Sequence, residues 1–239
     1  MAGLQWREVL LVGATFLVLT VYHLYWLHQV KRQPLRTYLG ITKHLRQMWV
    51  ASIMKERRDI LAVQTLRNWI MASSFLASTA ILIGLGLLSF IFRPEHSSAL
   101  PFDLMLSFAR LKTLFLVKIM FLMLHFFFAF FSFTLAMRYF NHVNFMINVP
   151  LECDAHLNIE YVANILNLGN IHYTLGMRAY YLAALVSLWL FGPEWLLSGA
   201  VFLVIILYRQ DHCCAEDYVG ECPLPTGGRA GETGKNNDS

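Results

Sequence analysis

The chain contains three long apolar runs that are almost free of charged residues, at residues 9–27, 69–92 and 113–137. About 20 consecutive apolar residues in an α-helix cross a hydrocarbon layer of about 30 Å. Each run is long enough for this, so the pattern predicts three membrane-spanning helices. The first run ends in tyrosines and a tryptophan followed by Lys31 and Arg32, which is typical of an anchor and not of a removable signal peptide.

A fourth apolar region, from residue 173 to residue 208, has two interpretations. It is interrupted by Gly192 and Pro193. Proline removes a backbone donor and glycine opens a turn, so the interruption is either a kink in one long span or the turn between two helices. The second interpretation gives spans at 171–191 and 195–208, and we favour it.

The segment between the first two spans predicts a long basic helix. Residues 40–68 contain no proline and no internal glycine, and their apolar residues recur near the helical period. Because no glycine or proline separates this segment from the second span, the sequence predicts a rigid elbow or one continuous helix. Its basic residues suit the anionic inner leaflet, to which each contributes about 1 kcal/mol. Either these charges only fix the topology and anchor the helix, or they form a surface for lipid or a partner protein. The residues of that surface would be Arg46, Trp49, Arg57, Arg58, Gln64, Arg67 and Asn68.

The distribution of lysine and arginine predicts the orientation of these helices. Basic residues cluster after the first span, and cytoplasmic loops carry an excess of them. The segment is therefore expected in the cytoplasm, the amino terminus outside, and, with five spans, the tail in the cytoplasm. The fold class is an all-α polytopic membrane bundle: one membrane domain over residues 1–210, with a disordered tail over 211–239.

Small and ionisable residues recur at helical spacing within two of the spans. In the second span they form a stripe that would let helices approach closely. In the third span, Lys118 and His125 share a face with Leu122, Ala129 and further small residues, and this face should point into the bundle. The stripe is Ser73, Ala77, Ala80 and Gly84, and the phenylalanines expected to face outward are Phe126, Phe127, Phe128, Phe130, Phe131 and Phe133.

Ionisable groups at membrane depth are costly, so Lys118 and His125 are candidates for a polar path. Asn164, Asn167 and Asn170 step by three along an otherwise apolar helix and add an amide-lined edge to this prediction. The alternative is structural: the lysine reaches the interface, the histidine packs with a hydrogen bond, and the amides face water.

Composition and motifs exclude most other classes. The chain is 57% hydrophobic and 14% charged, a balance that water-soluble domains rarely reach. Zinc-protease, phosphate-loop, nucleophile-elbow and dinucleotide motifs do not occur, so we predict no enzyme, no cofactor and no nucleic-acid partner. Glu152, Asp154 and His156 lie near one another but lack a recognised ligand motif, which favours a solvated loop over a metal site.

The redox state and modification of the cysteines after the last span depend on the topology. In a cytoplasmic tail, Cys213 and Cys214 would be reduced and are candidates for palmitoylation. In an exterior tail, disulfides with Cys222 could form instead.

Several segments resemble a known membrane family, filed as domain of unknown function 599. The resemblance covers residues 9–209 and implies a shared membrane fold, without a reaction, a substrate or a catalytic residue. The matching segments are Arg57-Arg58-Asp59-Ile60-Leu61-Ala62-Val63-Gln64-Thr65-Leu66-Arg67-Asn68, Met71-Ala72-Ser73, Leu190-Phe191-Gly192-Pro193 and Tyr208-Arg209.

Two classes of function are consistent with these patterns. A small-solute or ion transporter or channel would use the polar path, whereas a membrane scaffold would use the basic helix and the small-residue stripe to organise lipids or partner proteins. A hydrated route through the bundle favours the first class and a dry core the second. The expected surroundings are anionic lipids of the inner leaflet, in the plasma membrane, with a homo-oligomer as one possible assembly.

Overall fold

The computed structural model describes residues 2–32, 38–92, 102–150 and 158–221. Within these ranges the chain is helical and contains no β-strand. The helices are α1 (Ala2–Arg32), α2 (Tyr38–Glu56), α3 (Asp59–Ile91), α4 (Phe102–Met146), α5 (Ile159–Leu188) and α6 (Pro193–Glu221).

Three helices in the described ranges are long and apolar enough to cross a membrane, judged by length and composition. The segments are Trp6–Arg32 in α1, Ile60–Ile91 in α3 and Thr113–Met146 in α4. They cover the three apolar runs of the sequence to within one residue at the end of the second run, so a membrane protein is supported.

The interrupted apolar region forms two helices. α5 ends at Leu188 and α6 begins at Pro193, with Gly192 between them at a φ of +147°. This value lies outside the region that residues with a Cβ readily adopt. The Gly192-Pro193 step is therefore a turn and not a kink within one helix.

The helix α4 lies between α3 and α5 and runs antiparallel to both. Trp69, early in α3, meets Phe140, late in α4, with ring centroids 5.8 Å apart. Gly84, late in α3, lies instead beside Phe127, earlier in α4. In α5, Gly169 also packs on Phe140. These contacts define a three-helix layer of α3, α4 and α5.

The helices α1 and α6 form a second, parallel pair. Arg7 near the start of α1 contacts Glu194 at the start of α6, and Tyr22 further along α1 contacts Asp211 further along α6. α6 follows α5 after a tight turn and packs against it. The pair of α1 and α6 therefore lies beside α5, at one edge of the three-helix layer.

The basic segment 40–68 is divided by an elbow and is not a single helix. α2 ends at Glu56, and Arg57 adopts a φ of +52°. The N–H of Arg58 then donates to the carbonyl of Ile53, which closes the helix with a left-handed cap. Glycine usually occupies that position. Because an arginine stands there, the sequence gives no sign of the elbow.

The helix α2 packs on the bundle. Its buried residues are Ile41, Val50, Ile53 and Met54, of which the last three lie on one side, and α2 contacts α5 and α6. Val50, Ile53 and Met54 join a core cluster with residues of α3, α4 and α5. One face of the basic helix therefore contacts protein.

The small-residue stripe of α3 and the phenylalanines of α4 meet within the three-helix layer. Ser73, Ala77 and Ala80 are buried. The expectation that all six phenylalanines face outward is wrong, because Phe133 is fully buried against Tyr173 and Tyr180. Phe128 and Phe131 are exposed, whereas Phe126, Phe127 and Phe130 are partly buried.

The last helix is longer than the sequence indicates. α6 continues to Glu221, within the region assigned to a disordered tail. The side chains of Cys213 and Cys214 lie outside the described residues, as does Cys222 together with the rest of the tail to residue 239.

Candidate functional site

A first polar layer joins α1, α4, α5 and α6 at one end of the bundle. The Lys118 ammonium lies 3.0 Å from the Glu8 carboxylate and 3.4 Å from the carbonyl of Trp189, over whose ring it also sits at 5.1 Å. Carbonyls at a helix end lack intrahelical partners and carry partial negative charge. Lys118 therefore caps α5 while it pairs with α1. Arg7 and Glu194 form an exposed pair in the same layer.

A second polar layer joins α1, α5 and α6 deeper in the bundle. The Arg178 guanidinium donates to both oxygens of Asp211 at 3.2 and 3.0 Å, and the Tyr22 hydroxyl donates to one of them at 2.8 Å. The Trp26 ring covers Arg178 at 3.9 Å. The side chains of Arg178 and Asp211 are 11% and 13% exposed, so water screens this pair poorly.

The sequence did not single out the second layer. Arg178 interrupts an apolar region, and that signal alone marks it as a candidate. Its partners cannot be read from the sequence, because Asp211 lies beyond the last predicted span and Tyr22 resembles an interfacial aromatic residue.

A groove of about 350 Å³ lies between the two layers. The layers are about 21 Å apart along α1, from Glu8 to Tyr22, at 1.5 Å per residue. Most of the lining comes from α1 and α5, and α4 and α6 complete it. Phe16 and Phe121 meet across it with ring centroids 6.3 Å apart. Further lining residues are Leu19, Thr20, His23, His125 and Leu182.

The polar atoms of the groove are mostly bonded to their own helices. Nδ1 of His125 lies 2.8 Å from the carbonyl of Phe121, and Nδ1 of His23 lies 2.8 Å from the carbonyl of Leu19. A carbonyl only accepts, so each Nδ1 carries the proton. The Thr15 hydroxyl donates to a carbonyl in the same way. The lining is thus mostly apolar. Its remaining polar atoms are the second nitrogen of each imidazole, the hydroxyl of Thr20 and the indole Nε1 of Trp189, which has no partner among the described residues.

The residues predicted to form a polar path do not share one site. Lys118 belongs to the first layer, and His125 lies about 10 Å further along α4, in the groove. Asn167 lies about 33 Å along α5 from Trp189, towards the opposite end. It is buried, whereas Asn164 is exposed and Asn170 is partly buried.

Two groups of predicted residues meet at Arg46 and Asn167. Nε of Arg46 donates to Oδ1 of Asn167 at 2.8 Å. Burial lowers the pKa of Arg46 from its usual value, with a smaller opposing effect of Tyr38. Asn167 is 6% exposed, and its Nδ2 has no partner among the described residues.

The other residues of the predicted lipid or partner surface are dispersed. Trp49 packs partly buried against the core cluster. Arg58 pairs with Glu56 at 2.6 Å on the surface. The remaining members are exposed: Arg57, Gln64, Arg67 and Asn68.

The part of the chain that the structure describes holds no cluster of His, Cys, Asp and Glu that could bind a metal ion. Glu152, Asp154 and His156 lie outside the described residues.

The apolar helices and the buried ionic layers define an α-helical membrane protein. The chain belongs to the family described as protein of unknown function, DUF599, whose model matches residues 10–215. No curated protein and no solved structure matches it. The family therefore agrees with the resemblance seen in the sequence and adds no reaction or ligand.

Proposed function

We propose that this protein crosses the membrane five times and binds a lipid acyl chain in the groove between α1 and α4. The helix directions support the five spans. α1, α4 and α6 run one way while α3 and α5 run the other, which is the alternation expected of consecutive crossings.

The observation that carries the binding role is an apolar groove between two helices of membrane-spanning length. A groove within the bilayer is surrounded by lipid hydrocarbon, so an acyl chain is the ligand with direct access to it. A hydrated ion would find few polar atoms in the lining, because the histidine Nδ1 atoms and the Thr15 hydroxyl are already bonded to carbonyls. This favours an organiser of lipids over an ion channel.

Transport of a small amphipathic solute is the second candidate. The groove lies between two ionic layers, one at Lys118 and Glu8 and one at Arg178 and Asp211. A carrier that opened one layer at a time would expose such a groove to each side in turn.

The experiment is photocrosslinking of the purified protein with a diazirine-labelled fatty acid. We expect labelled peptides from α1 and α4 around Leu19 and His125. Thr20→Trp should fill the groove and reduce labelling there at least several-fold, whereas Leu17→Trp should not, because Leu17 is 66% exposed outside the lining. Equal labelling of both variants would contradict the groove as the binding site.

Flux measurements separate the two candidates. Vesicles containing the protein are loaded with the same fatty acid, and its release is compared with that from protein-free vesicles. Release that depends on the protein and is lost in Thr20→Trp supports transport. Crosslinking without such release supports a lipid-organising role.

A further inference from the structure

We propose a phosphate-binding site at Arg46 and Asn167, where α2 crosses α5 at one boundary of the membrane bundle. The ligand is a phosphate group, carried by an anionic lipid headgroup or free in solution. This site is distinct from the groove and does not depend on the proposed function.

The first argument is an incompletely satisfied cation. Arginine has five N–H donors in a planar fork, and the described residues provide Arg46 with one hydrogen bond, to Asn167. No acidic side chain in the described ranges forms an ion pair with Arg46. Glu160, in the first turn of α5, lies about 10 Å from Asn167 along the helix axis. A partly buried guanidinium without an anion is unfavourable, and a bound anion would relieve this.

The second argument is the unpaired amide. Nδ2 of Asn167 is buried without a partner in the described structure, although Oδ1 of the same carboxamide accepts from Arg46. An unsatisfied buried donor costs about 1–3 kcal/mol. The Arg46 guanidinium and the Asn167 carboxamide therefore both have N–H donors without a partner among the described residues. Phosphate oxygens accept from several donors at once.

The third argument is the position of this contact along the bundle. Gly169, two residues after Asn167, packs on Phe140, and Phe140 packs on Trp69. The exposed residues Arg67 and Arg138 each lie two residues before one of these aromatic residues. Because α3 and α4 are antiparallel, Arg67 and Arg138 lie about 3 Å to either side of this contact along the bundle. Arg46, Arg67 and Arg138 thus form a basic band close to the first residues of the apolar run of α3. Lipid phosphates lie at such a boundary.

The test titrates purified protein with dioctanoyl phosphatidic acid, and separately with inorganic phosphate, while the melting temperature is recorded. We expect a saturable rise with the lipid. Arg46→Gln should weaken binding roughly 10- to 100-fold, the loss expected for a charge-assisted hydrogen bond. Lys43→Gln removes the same charge from an exposed position of α2 and should leave binding unchanged.

A second variant distinguishes loss of the binding site from misfolding of Arg46→Gln. Asn167→Asp would supply Arg46 with a carboxylate from within the chain, so the melting temperature without ligand should hold or rise while the response to phosphate is lost. A response to inorganic phosphate alone, with the same dependence on Arg46, supports the site and assigns it to free phosphate. A response that persists in both variants, a loss of equal size in Lys43→Gln, or no response to either ligand overturns the proposal.

Discussion

Single side chains decide how the two layers of helices are joined. Arg178 and Asp211 are nearly buried, and Tyr22 adds a hydrogen bond from a third helix. Breaking a buried ion pair leaves one charge uncompensated in a medium of low polarity. An exposed ion pair contributes little to the free energy of unfolding, because water solvates both charges.

Asp211→Asn should therefore lower the free energy of unfolding by roughly 3–5 kcal/mol, and Tyr22→Phe by about 1.5–3 kcal/mol, the range for a hydrogen bond to a charged group. The control is Glu194→Gln in the exposed pair with Arg7, where we expect less than about 1 kcal/mol. Unfolding in detergent, followed by tryptophan fluorescence, measures all three. Similar losses for Asp211→Asn and Glu194→Gln would show that the buried layer is not a structural tie.

At the scale of helices, α4 and α5 pack closely against each other. The sequence pointed to the small residues of α3, and at Gly84 an added Cβ would lie an ordinary 3.6 Å from Phe127. At Gly176 it would lie 2.7 Å from the ring of Phe133, which is fully buried. The sequence reasoning missed this contact because it placed Phe133 on the outer face.

Gly176→Ala should accordingly lower the free energy of unfolding by about 1–3 kcal/mol, since the fully buried ring of Phe133 would have to shift. Gly86→Ala is the matched control, because nothing lies within 4 Å of the added Cβ, and the better helix propensity of alanine should stabilise α3 by up to about 1 kcal/mol. Denaturant titration of both variants in the same detergent tests this. A Gly176→Ala protein as stable as the wild type would mean that α4 and α5 are packed less tightly than described.

For the whole molecule, the directions of the helices bear on topology. Alternating α1, α3, α4, α5 and α6 leave the two ends of the chain on opposite sides of the membrane if all five helices cross it. The basic residues of α2 and the start of α3 then face the cytoplasm, with the amino terminus outside.

An amino-terminal epitope tag should then be accessible to antibody on intact cells, and a carboxy-terminal tag only after permeabilisation. Impermeant thiol reagent should likewise fail to label Cys222 from outside. The control is a cytoplasmic protein tagged in the same way. A carboxy-terminal tag that is accessible on intact cells would remove the fifth span from the topology.

The sequence by itself determined which segments are long apolar helices, because apolar length is a property of consecutive residues. Helical spacing also indicated that Lys118 and His125 share one face of α4. Only the tertiary structure decided what these side chains meet: Glu8 lies 110 residues from Lys118, and Asp211 lies 189 residues from Tyr22. Partners so far apart depend on which helices pack side by side and in which register, and periodicity within one helix carries no information about either.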